Sequence, residues 1–502
     1  MSKIFNSIDQ LIISLNENSK KIKLVHCHGV FDLLHIGHIN YLKEAKKLGD
    51  RLLVTITSDF YVNKGIFNPH FNQNIRAEVL SSLSFVDYVF IINAKTPIKF
   101  IKKIKPNFYV KGPDYKNIKN DNNLNSENKA IISVGGKMVF TSGGTSSSSM
   151  LLNKYSNMLN PIQKDFINKI KKEFTFDYIS KKIDSLSSLN VLLIGETIID
   201  EYVFSEVIGK SGKEPILVSK KINSEKYAGG IIAVANHISS FCKKVKVLTY
   251  LGETNNSYSF INKKIQKNIN VEYIAKKNSP TIIKTRFVDA YSNNKLHAVY
   301  NINDDLLNKN EENEFIKKID KNINKYDLVL VVDYGHGLFT EKIVKNIEKK
   351  SKNLSVNSQL NSMNMSFYSH SKFNKIDYFC IHDGELRHSF REKYLSTEKL
   401  IKSLVMKLKI KTVVITMGKE GSICFKNNKF FKCPAFVSNP IDTVGAGDTL
   451  FAITSLCFNN NFSPNIAILI GNVLASKSIN IIGTGNYFEK QDLKKIIKYL
   501  IH

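Results

Sequence analysis

Short apolar segments alternate with segments of helical spacing in two separate stretches of this chain of 502 residues. The first stretch runs from the apolar segment 24–28 through a helix to a second apolar segment at 51–57. The second stretch opens at 190–195 and continues with apolar segments at 245–250, 328–332, 378–381 and 412–416. Alternation at this spacing predicts parallel sheets with helices on their faces. The chain is too long for one hydrophobic core, so two α/β domains are expected.

The segment between the two stretches is rich in lysine, has helical spacing and contains Pro161. It predicts a helical linker at 153–188, between a first domain at 1–152 and a second domain at 189–502. Within the first domain, the polar run 117–129 predicts a loop.

The chain is strongly basic, with a formal net charge of +28 from 72 Lys and Arg against 44 Asp and Glu. The basic residues are spread along the chain and form no compact stripe with interleaved aromatic residues, so no nucleic-acid partner is expected. A basic surface instead favours anionic small molecules such as nucleotides and sugar phosphates.

Six cysteines are scattered without a Cys-x-x-Cys pair, which excludes the common zinc spacings and a disulfide framework. No apolar run reaches the roughly 20 residues of a membrane span, and the first residues lack the apolar stretch of a secretory signal. These features predict a cytoplasmic protein in a reducing compartment, with no membrane partner.

A motif with two histidines, residues 29–38, follows the first strand candidate. His35 and His38, three positions apart, share one face at the start of the next helix. The free N–H groups and the dipole of a helix N-terminus attract anions, and Gly37 lets the backbone approach a phosphate closely. Fixed donors of this kind suit nucleotidyl transfer, where negative charge builds on the oxygens of a triphosphate. Such a histidine pair is by itself more often structural, so the flanking residues decide.

A second motif, residues 442–448, lies near the end of the chain. Gly445, Ala446 and Gly447 can present successive backbone N–H groups to an anion at the start of a helix. Asp448 follows at the turn, where a carboxylate can take the proton of a hydroxyl that becomes phosphorylated. Most isolated Gly-x-Gly-Asp matches are ordinary turns, so this motif also depends on its context.

Residues 23–152 resemble the cytidylyltransferase-like nucleotidyltransferases, especially the adenylyltransferase half of the bacterial heptose-phosphate bifunctional enzyme and the glycerol-phosphate cytidylyltransferases. The resemblance rests on the loop 29–38 and on the segments 48–54, 64–65, 76–80, 85–89, 110–115 and 145–149. It implies that His35 and His38 stabilise the transition state and that Lys64 neutralises the triphosphate. It also implies nucleotide or phosphate contacts for Gly29, Phe31, Asp32, Gly37, Arg76, Lys111, Asp114, Ser146, Ser147 and Ser148.

Class I aminoacyl-tRNA synthetases also carry His-Ile-Gly-His. That interpretation is excluded because the chain has no segment like Lys-Met-Ser-Lys-Ser, and because a different domain follows the first one.

Residues 190–500 resemble the ribokinase-like (PfkB) sugar kinases, and the segment 211–215 is similar to that of the heptose-7-phosphate kinases. The matching segments are 195–200, 229–230, 333–337, 416–421 and 442–448. The resemblances imply a Rossmann-like first domain and a ribokinase-like α/β second domain with a small β lid. Asp448 would be the base, and Glu385 would organise Mg²⁺ through water. Phosphate or nucleotide contacts are implied for Gly418, Gly421, Gly445, Ala446 and Gly447, and sugar contacts for Asp200, Gly229, Gly230 and Asn236.

Three segments depart from the kinase pattern. Residues 229–233 read Gly-Gly-Ile-Ile-Ala, which puts Asn236 three positions late. Residues 381–382 read Ile-His where Pro-Asn is usual, and 355–359 read Ser-Val-Asn-Ser-Gln where an Asp-Pro is expected. All three lie on the substrate or metal side and indicate a changed sugar. The domain order is expected to be reversed relative to the heptose enzyme, with the transferase first.

The motifs together predict a bifunctional enzyme, a carbohydrate kinase and a sugar-phosphate nucleotidyltransferase that make a nucleotide-activated sugar, as in an ADP-heptose pathway. Mg²⁺ and ATP are the expected cofactors, with CTP open for the transferase. Nucleotides and sugar phosphates are the expected partners, and a homodimer is left open. Two alternatives remain: an alditol-phosphate cytidylyltransferase fused to a sugar kinase of other specificity, or a regulatory protein with an inactive kinase half. Ala233 and His382 favour inactivity mildly, whereas the intact Asp448 argues against it.

Overall fold

The chain divides into two compact units, Met1–Asn160 and Pro161–His502. A computed structural model describes residues 3–5, 7–16, 22–62, 69–112, 122–142, 159–255, 257–365, 372–437, 440, 442–480, 483 and 487–501.

The first unit is built on one six-stranded parallel sheet. Its strands are β1 (Ile4–Phe5), β2 (Leu24–Gly29), β3 (Arg51–Thr57), β4 (Tyr88–Ile92), β5 (Phe108–Lys111) and β6 (Lys137–Phe140). Its helices are α1 (Ile8–Asn16), α2 (Ile36–Lys46), α3 (Gln73–Ser81), α4 (Ile98–Ile104) and α5 (Asn122–Ile132). The strand order is β1-β4-β3-β2-β5-β6, and every pairing is parallel. The predicted Rossmann-like α/β architecture is confirmed.

The winding direction of this sheet reverses next to β2. The chain winds from β2 through β3 to β4 on one side, and β5 then pairs with the other side of β2. Doubly wound sheets bind their ligands at the carboxyl ends of the strands where the winding direction reverses. The two central strands are covered on both faces, which explains their continuous apolar sequences, and Leu42 and Ala45 bury helix α2 against them.

The loop predicted at 117–129 is wrong for its described part, because helix α5 begins at Asn122. This helix buries Ala130 and Ile131 together with the carboxylate of Glu127. Because the buried Glu127 lies within a run of polar residues, the apolar face of α5 is not evident from the spacing of its apolar residues. Its partner, Lys111, lies on strand β5.

The second unit contains two sheets. The larger has the order β11-β10-β7-β14-β15-β16-β17-β18-β19, parallel as far as β17 and antiparallel beyond it. The smaller has the order β13-β12-β8-β9. The strands are β7 (Asn190–Gly195), β8 (Thr197–Lys210), β9 (Leu217–Gly230), β10 (Lys244–Gly252), β11 (Ile269–Lys276), β12 (Ile282–Asp289), β13 (Lys295–Asn301), β14 (Leu328–Asp333), β15 (Leu354–Ser358), β16 (Tyr378–His382), β17 (Thr412–Thr416), β18 (Ser422–Lys426) and β19 (Lys429–Cys433).

Eleven described helices complete this unit: α6 (Pro161–Glu173), α7 (Phe176–Ser185), α8 (Ile231–Ser239), α9 (Tyr258–Lys264), α10 (Lys309–Asn322), α11 (Glu341–Lys350), α12 (Asp383–Phe390), α13 (Thr397–Leu408), α14 (Ala446–Asn459), α15 (Pro464–Ser478) and α16 (Lys490–Ile501). Helices α14 and α15 pack against each other and are buried along most of their length. The smaller sheet exposes all of β13 and much of β9, as a lid over one side of the unit would.

The described part of the predicted linker contains two helices, and both belong to the second unit. Helix α6 buries Phe166 and Ile170, and Gln163 donates a hydrogen bond to the carbonyl of Ala435 at 2.7 Å. Helix α7 buries Ile179 and Ile183. From residue 161 onward this segment therefore packs as part of a core, and the other predicted domain boundaries stay predictions.

None of the helices in the described part of the chain combines the length and the apolar character that a bilayer span requires.

Candidate active sites

The loop from β2 to α2 brings the predicted transferase residues together. Helix α2 begins at Ile36, and His35 is its N-cap, with Nδ1 accepting the N–H of Gly37 at 3.1 Å. The rings of His35 and His38 lie with their centroids 4.0 Å apart. Phe31 packs edge-on against His38, at 5.4 Å between centroids, and a Cβ added at Gly29 would lie 3.0 Å from the Phe31 ring. The predicted cluster of histidines is therefore compact and sits at a helix N-terminus.

The hydrogen bond at the N-cap fixes the tautomer of His35. Burial lowers the pKa of His35, so its imidazole is neutral at neutral pH. Nδ1 accepts the N–H of Gly37 and so carries no proton, which puts the one ring proton on Nε2. Nε2 is buried and has no hydrogen-bond partner among the described residues. His35 thus offers an unused N–H donor.

Asp32 and Arg76 hold the loop in this arrangement, and the phosphate contacts predicted for them stay predictions. The carboxylate of Asp32 accepts the N–H groups of His70 at 2.9 Å and Phe71 at 3.0 Å. The buried guanidinium of Arg76 makes four hydrogen bonds, of the five that it can donate. Its acceptors are the carbonyls of Phe71 (2.9 Å), Val30 (2.5 Å) and Thr57 (2.8 Å) and the carboxylate of Asp59 (2.6 Å). The two residues tie the histidine loop to the segment that leads into α3.

Lys111 ends β5, at the carboxyl edge of the sheet, and forms a buried ion pair with Glu127 at 2.8 Å. The hydroxyl of Tyr109 donates to the same carboxylate at 3.1 Å. Contact of Lys111 with a nucleotide stays a prediction. The other predicted residues of this site, Lys64, Asp114, Ser146, Ser147 and Ser148, lie outside the described residues.

Two further histidines lie on β2, and the sequence interpretation missed them. His26 and His28 both contact the hydroxyl of Thr55 on β3, at 2.7 and 2.9 Å, and His28 also lies 3.3 Å from the hydroxyl of Thr57. Burial lowers the pKa of His28 to about 3, so this ring is neutral. The signal was available, because positions 26 and 28 of one strand point to the same face.

In the second unit, Asp448 lies in the first turn of helix α14, whose N-cap is Gly445 with φ of 83°. One carboxylate oxygen accepts the hydroxyl of Tyr334 at 3.1 Å, and the other accepts Nε2 of Gln359 at 2.5 Å. Burial raises the pKa of Asp448 to about 6. A Cβ added at Gly447 would meet no atom within 4 Å, so the helix N-terminus beside Asp448 is open.

Asp200 faces this site from strand β8. Its carboxylate pairs with Arg286 of β12 at 2.5 Å, and a Cβ at Gly229 would lie 2.0 Å from its other oxygen. Only a glycine at 229 leaves room for that carboxylate. Lys284 stands opposite Asp200 in the strand register, and burial lowers the pKa of this lysine. The sequence interpretation missed both Lys284 and Arg286. They approach Asp200 from a neighbouring strand of the smaller sheet, far away in the sequence, so no local motif indicates them.

Asn236, predicted to contact the sugar, makes a hydrogen bond between two helices. It lies in α8, which begins after Gly230, and its amide donates to the carbonyl of Lys264 at 3.1 Å. Asn236 comes three positions later than the asparagine of the kinase pattern, which is nearly one helical turn. Its amide therefore lies further along α8, next to the end of α9. This hydrogen bond gives Asn236 a helix-packing role, and its sugar contact stays a prediction.

Glu385 caps helix α12 rather than standing free. Its two oxygens accept the N–H groups of His382 at 2.7 Å and Leu360 at 2.9 Å, and burial raises its pKa to about 7. Among the described residues, no group of three or more His, Cys, Asp and Glu side chains could hold a metal ion by itself. Gly418 and Gly421 bracket a short 3-10 turn after β17. Their nucleotide contacts, and the metal role of Glu385, stay predictions.

Residues 188–491 match the pfkB family of carbohydrate kinases, and residues 26–154 match the cytidylyltransferase-like family. The N-terminal part is similar to the Bifunctional protein HldE of Campylobacter concisus, 49% identical over 112 residues, and of Helicobacter pylori strain P12, 41% identical over 132 residues. These matches cover 22% and 23% of this chain, and 24% and 29% of the relatives' own lengths. The chain thus spans about a quarter of the length of the curated relatives that it matches.

Among solved structures, phosphofructokinase-2 from Escherichia coli in complex with potassium has a TM-score of 0.51 and 16% identity, and the match covers 62% of this chain and 100% of that one. At this identity the likeness shows the ribokinase-like fold alone. The expectation of a domain order reversed relative to the heptose enzyme is not supported. The matched ranges give the order within this chain, with the transferase-like residues first.

Proposed function

Because the chain belongs to the pfkB family of carbohydrate kinases and its first unit is a cytidylyltransferase-like domain, we propose that it activates a sugar in two steps. The second unit phosphorylates a sugar or sugar phosphate with ATP. The first unit then joins a sugar phosphate to a nucleotide and releases pyrophosphate. The product is a nucleotide-activated sugar, and the partners are small molecules in the cytoplasm.

The setting of Asp448 is the observation that carries the kinase step. Its pKa of about 6 leaves it mostly a carboxylate at neutral pH, able to accept the proton of an attacking hydroxyl. The open N-terminus of α14 beside it offers backbone N–H groups to the transferring phosphoryl group. A base and an anion site that share one helical turn meet the two needs of phosphoryl transfer to an alcohol.

Two basic side chains lie beside Asp200, where we place the pocket for the sugar acceptor. Arg286 and Lys284 lie on β12 next to Asp200, and Lys284 acts electrostatically on both Asp200 and Asp448. Asp200 suits sugar hydroxyls, whereas two cations suit a phosphate already on the sugar. This combination supports a sugar phosphate as the kinase substrate.

The residues present fit a Mg²⁺ ion that arrives with the nucleotide. Mg²⁺ needs only one or two protein carboxylates, because it keeps waters and binds substrate phosphates. Each oxygen of Glu385 accepts one backbone N–H and retains a further lone pair for a water. The ion would neutralise charge on the phosphates.

In the transferase step, a phosphate oxygen of the sugar phosphate attacks the α-phosphorus of ATP or CTP, and pyrophosphate leaves. We assign the Nε2–H of His35, with His38, to the charge that builds on the phosphate oxygens. Lys64, Lys111, Asp114 and Ser146–Ser148 are further candidates for nucleotide contacts.

The purified full chain, supplied with Mg²⁺, tests both steps. With ATP and a panel of heptose, hexose and pentose sugars and their phosphates, ADP release reports the kinase. With ATP or CTP and sugar 1-phosphates or alditol phosphates, pyrophosphate release reports the transferase. We expect both signals, each dependent on its acceptor. Failure of ADP release over the whole panel would leave an inactive kinase half, and pyrophosphate release with CTP and an alditol phosphate alone would identify a cytidylyltransferase.

A further inference from the structure

We propose that Gln359 is a positioning residue for Asp448, holding the carboxylate in the orientation that receives a proton from the substrate hydroxyl. This inference rests on the proposed kinase function. It assigns a role to a segment, 357–359, that departs from the pattern of the kinase family.

A chain of hydrogen bonds leads to Asp448, and the donor and the acceptor of each bond can be assigned. Asn357 is buried on β15, and its Nδ2 donates to the carbonyl of Cys380 on β16 at 2.8 Å. A carbonyl only accepts, so the orientation of the Asn357 amide is fixed and its Oδ1 faces Gln359. Nε2 of Gln359 donates to that oxygen at 3.1 Å and to Asp448 at 2.5 Å.

The amide of Gln359 therefore faces Asp448 with its nitrogen and not with its oxygen. The NH₂ group has two hydrogens, so both bonds can form together. The backbone of Gln359 is also held, since its N–H donates to the carbonyl of Asp333 at 2.9 Å and its carbonyl accepts Nδ2 of Asn364 at 3.0 Å. The residue that donates to Asp448 is therefore held in place by its backbone as well as by its side chain.

Tyr334 holds the other carboxylate oxygen from the end of β14. Its hydroxyl donates to Asp448 at 3.1 Å, and burial raises the pKa of this phenol well above its usual value, so it remains a donor. The N–H of Tyr334 is itself held by Glu196 at 3.0 Å. Each oxygen of Asp448 thus has one fixed donor and one remaining site for the substrate proton.

An amide suits this position because it neither takes up nor releases a proton. A carboxylate in its place would share a proton with Asp448 and raise the pKa of the base. The charged groups around Asp448 on other elements, Asp200, Lys284 and Glu385, act on it through the field without a hydrogen bond to it among the described contacts. Among the described residues, Gln359 and Tyr334 are the side chains that hydrogen-bond to the Asp448 carboxylate.

Steady-state kinetics of the full chain test the proposal, with Gln359→Leu to remove the donor. A misplacement of about 1 Å at a reacting group typically costs on the order of 100-fold. For Gln359→Leu we expect kcat of phosphorylation to fall about 10- to 100-fold with KM for the sugar changed less than about threefold. Asn322→Ala, which removes a buried amide that donates to the carbonyl of Lys318, is the matched control and should leave kcat unchanged.

A double-mutant cycle with Asn357→Ala makes the test independent of simple destabilisation. If Asn357 acts through Gln359, the loss from Asn357→Ala should largely vanish when Gln359 is already Leu. Additive losses, or an unchanged kcat in folded Gln359→Leu, would overturn the positioning role. A wild-type chain that phosphorylates no acceptor would refute the proposed kinase function itself, so the two failures are distinguishable.

Discussion

Lys295 of β13 places its ammonium 2.6 Å from the carboxylate of Asp442, a buried residue three positions before the N-cap of α14. The hydroxyl of Tyr202 on β8 donates to the other oxygen of Asp442 at 2.6 Å. Two strands of the smaller sheet thus bind the loop that leads to Asp448. Burial opposes ionisation of Asp442, yet the hydrogen bonds from Lys295 and Tyr202 hold its pKa below the usual value.

Loss of the ion pair between Lys295 and Asp442 should weaken binding of the sugar more than binding of ATP. We expect Lys295→Met to raise KM for the sugar several-fold while KM for ATP stays within about twofold. Steady-state kinetics with each substrate varied in turn measure this, and Lys220→Met, an exposed lysine of β9, is the control. An equal rise in both KM values would place the effect in the nucleotide site instead.

The ion pair between Lys295 and Asp442 also predicts that the stability of the second unit depends on pH. The pKa of Asp442 is lower in the folded state than in the unfolded state, so its contribution is present above the unfolded value near 3.8 and is lost as the pH falls through the folded value. Lys295→Met should therefore lower the melting temperature at pH 7 and have a smaller effect at the acid end. A difference between variant and wild type that grows toward acid pH would contradict this assignment.

His35 combines a structural and a chemical role that substitution can separate. Asn is a good N-cap whose oxygen can accept the N–H of Gly37, but it does not reach where Nε2 stands. For His35→Asn we expect pyrophosphate release to fall on the order of 10²- to 10³-fold, the usual loss for one oxyanion donor, with little change in stability. His35→Ala should add a loss of about 1 kcal/mol in the free energy of unfolding. ADP release by the kinase is the internal control, and its parallel loss would refute independent sites.

Asp448 should control the acid limb of the kinase pH profile. Its pKa is raised to about 6, and the base must be ionised to act, so kcat/KM should rise with pH through about 6 and level off above it. Asp448→Asn keeps the volume but cannot accept the proton, and it should abolish phosphoryl transfer while ATP still binds. Calorimetric titration with ATP separates binding from turnover. A variant with normal kcat would remove Asp448 from the mechanism.

Arg76 should stabilise the first unit without taking part in chemistry. Its guanidinium bonds to three backbone carbonyls and to Asp59, and Arg76→Met would leave those buried acceptors unpaired. We expect a loss of about 3 kcal/mol or more in the free energy of unfolding of this unit. Denaturation of the full chain, followed by pyrophosphate release and by ADP release, should show the transferase lost at lower denaturant than the kinase. A stable variant with weaker nucleotide binding would restore the phosphate contact first predicted for Arg76.

The architecture follows from local patterns, and the partners of charged side chains do not. The apolar runs at β2, β3, β7 and β14 predicted two parallel sheets, because buried central strands need continuous apolar sequence. The ion pair of Lys111 with Glu127 joins strand β5 to helix α5, a segment whose polar sequence predicted a loop. For the same reason the protein partners of Arg76 and Asn236 could not be predicted from local motifs, whereas His35, His38 and Asp448 lie where their motifs placed them.

Lys284 should decide whether the kinase prefers a phosphorylated acceptor. It stands opposite Asp200 on β12, and an ammonium there can bind a phosphate that a neutral sugar lacks. A hydrogen bond to a charged group contributes about 1.5–3 kcal/mol, which corresponds to roughly 10- to 100-fold in affinity. We expect Lys284→Met to raise KM for a sugar phosphate by that factor and to leave KM for the unphosphorylated sugar nearly unchanged. Lys226→Met, on the same sheet with a side chain 49% exposed, is the matched control. If Lys284→Met weakens both acceptors equally, the lysine serves the sugar ring and the preference for a phosphate resides elsewhere.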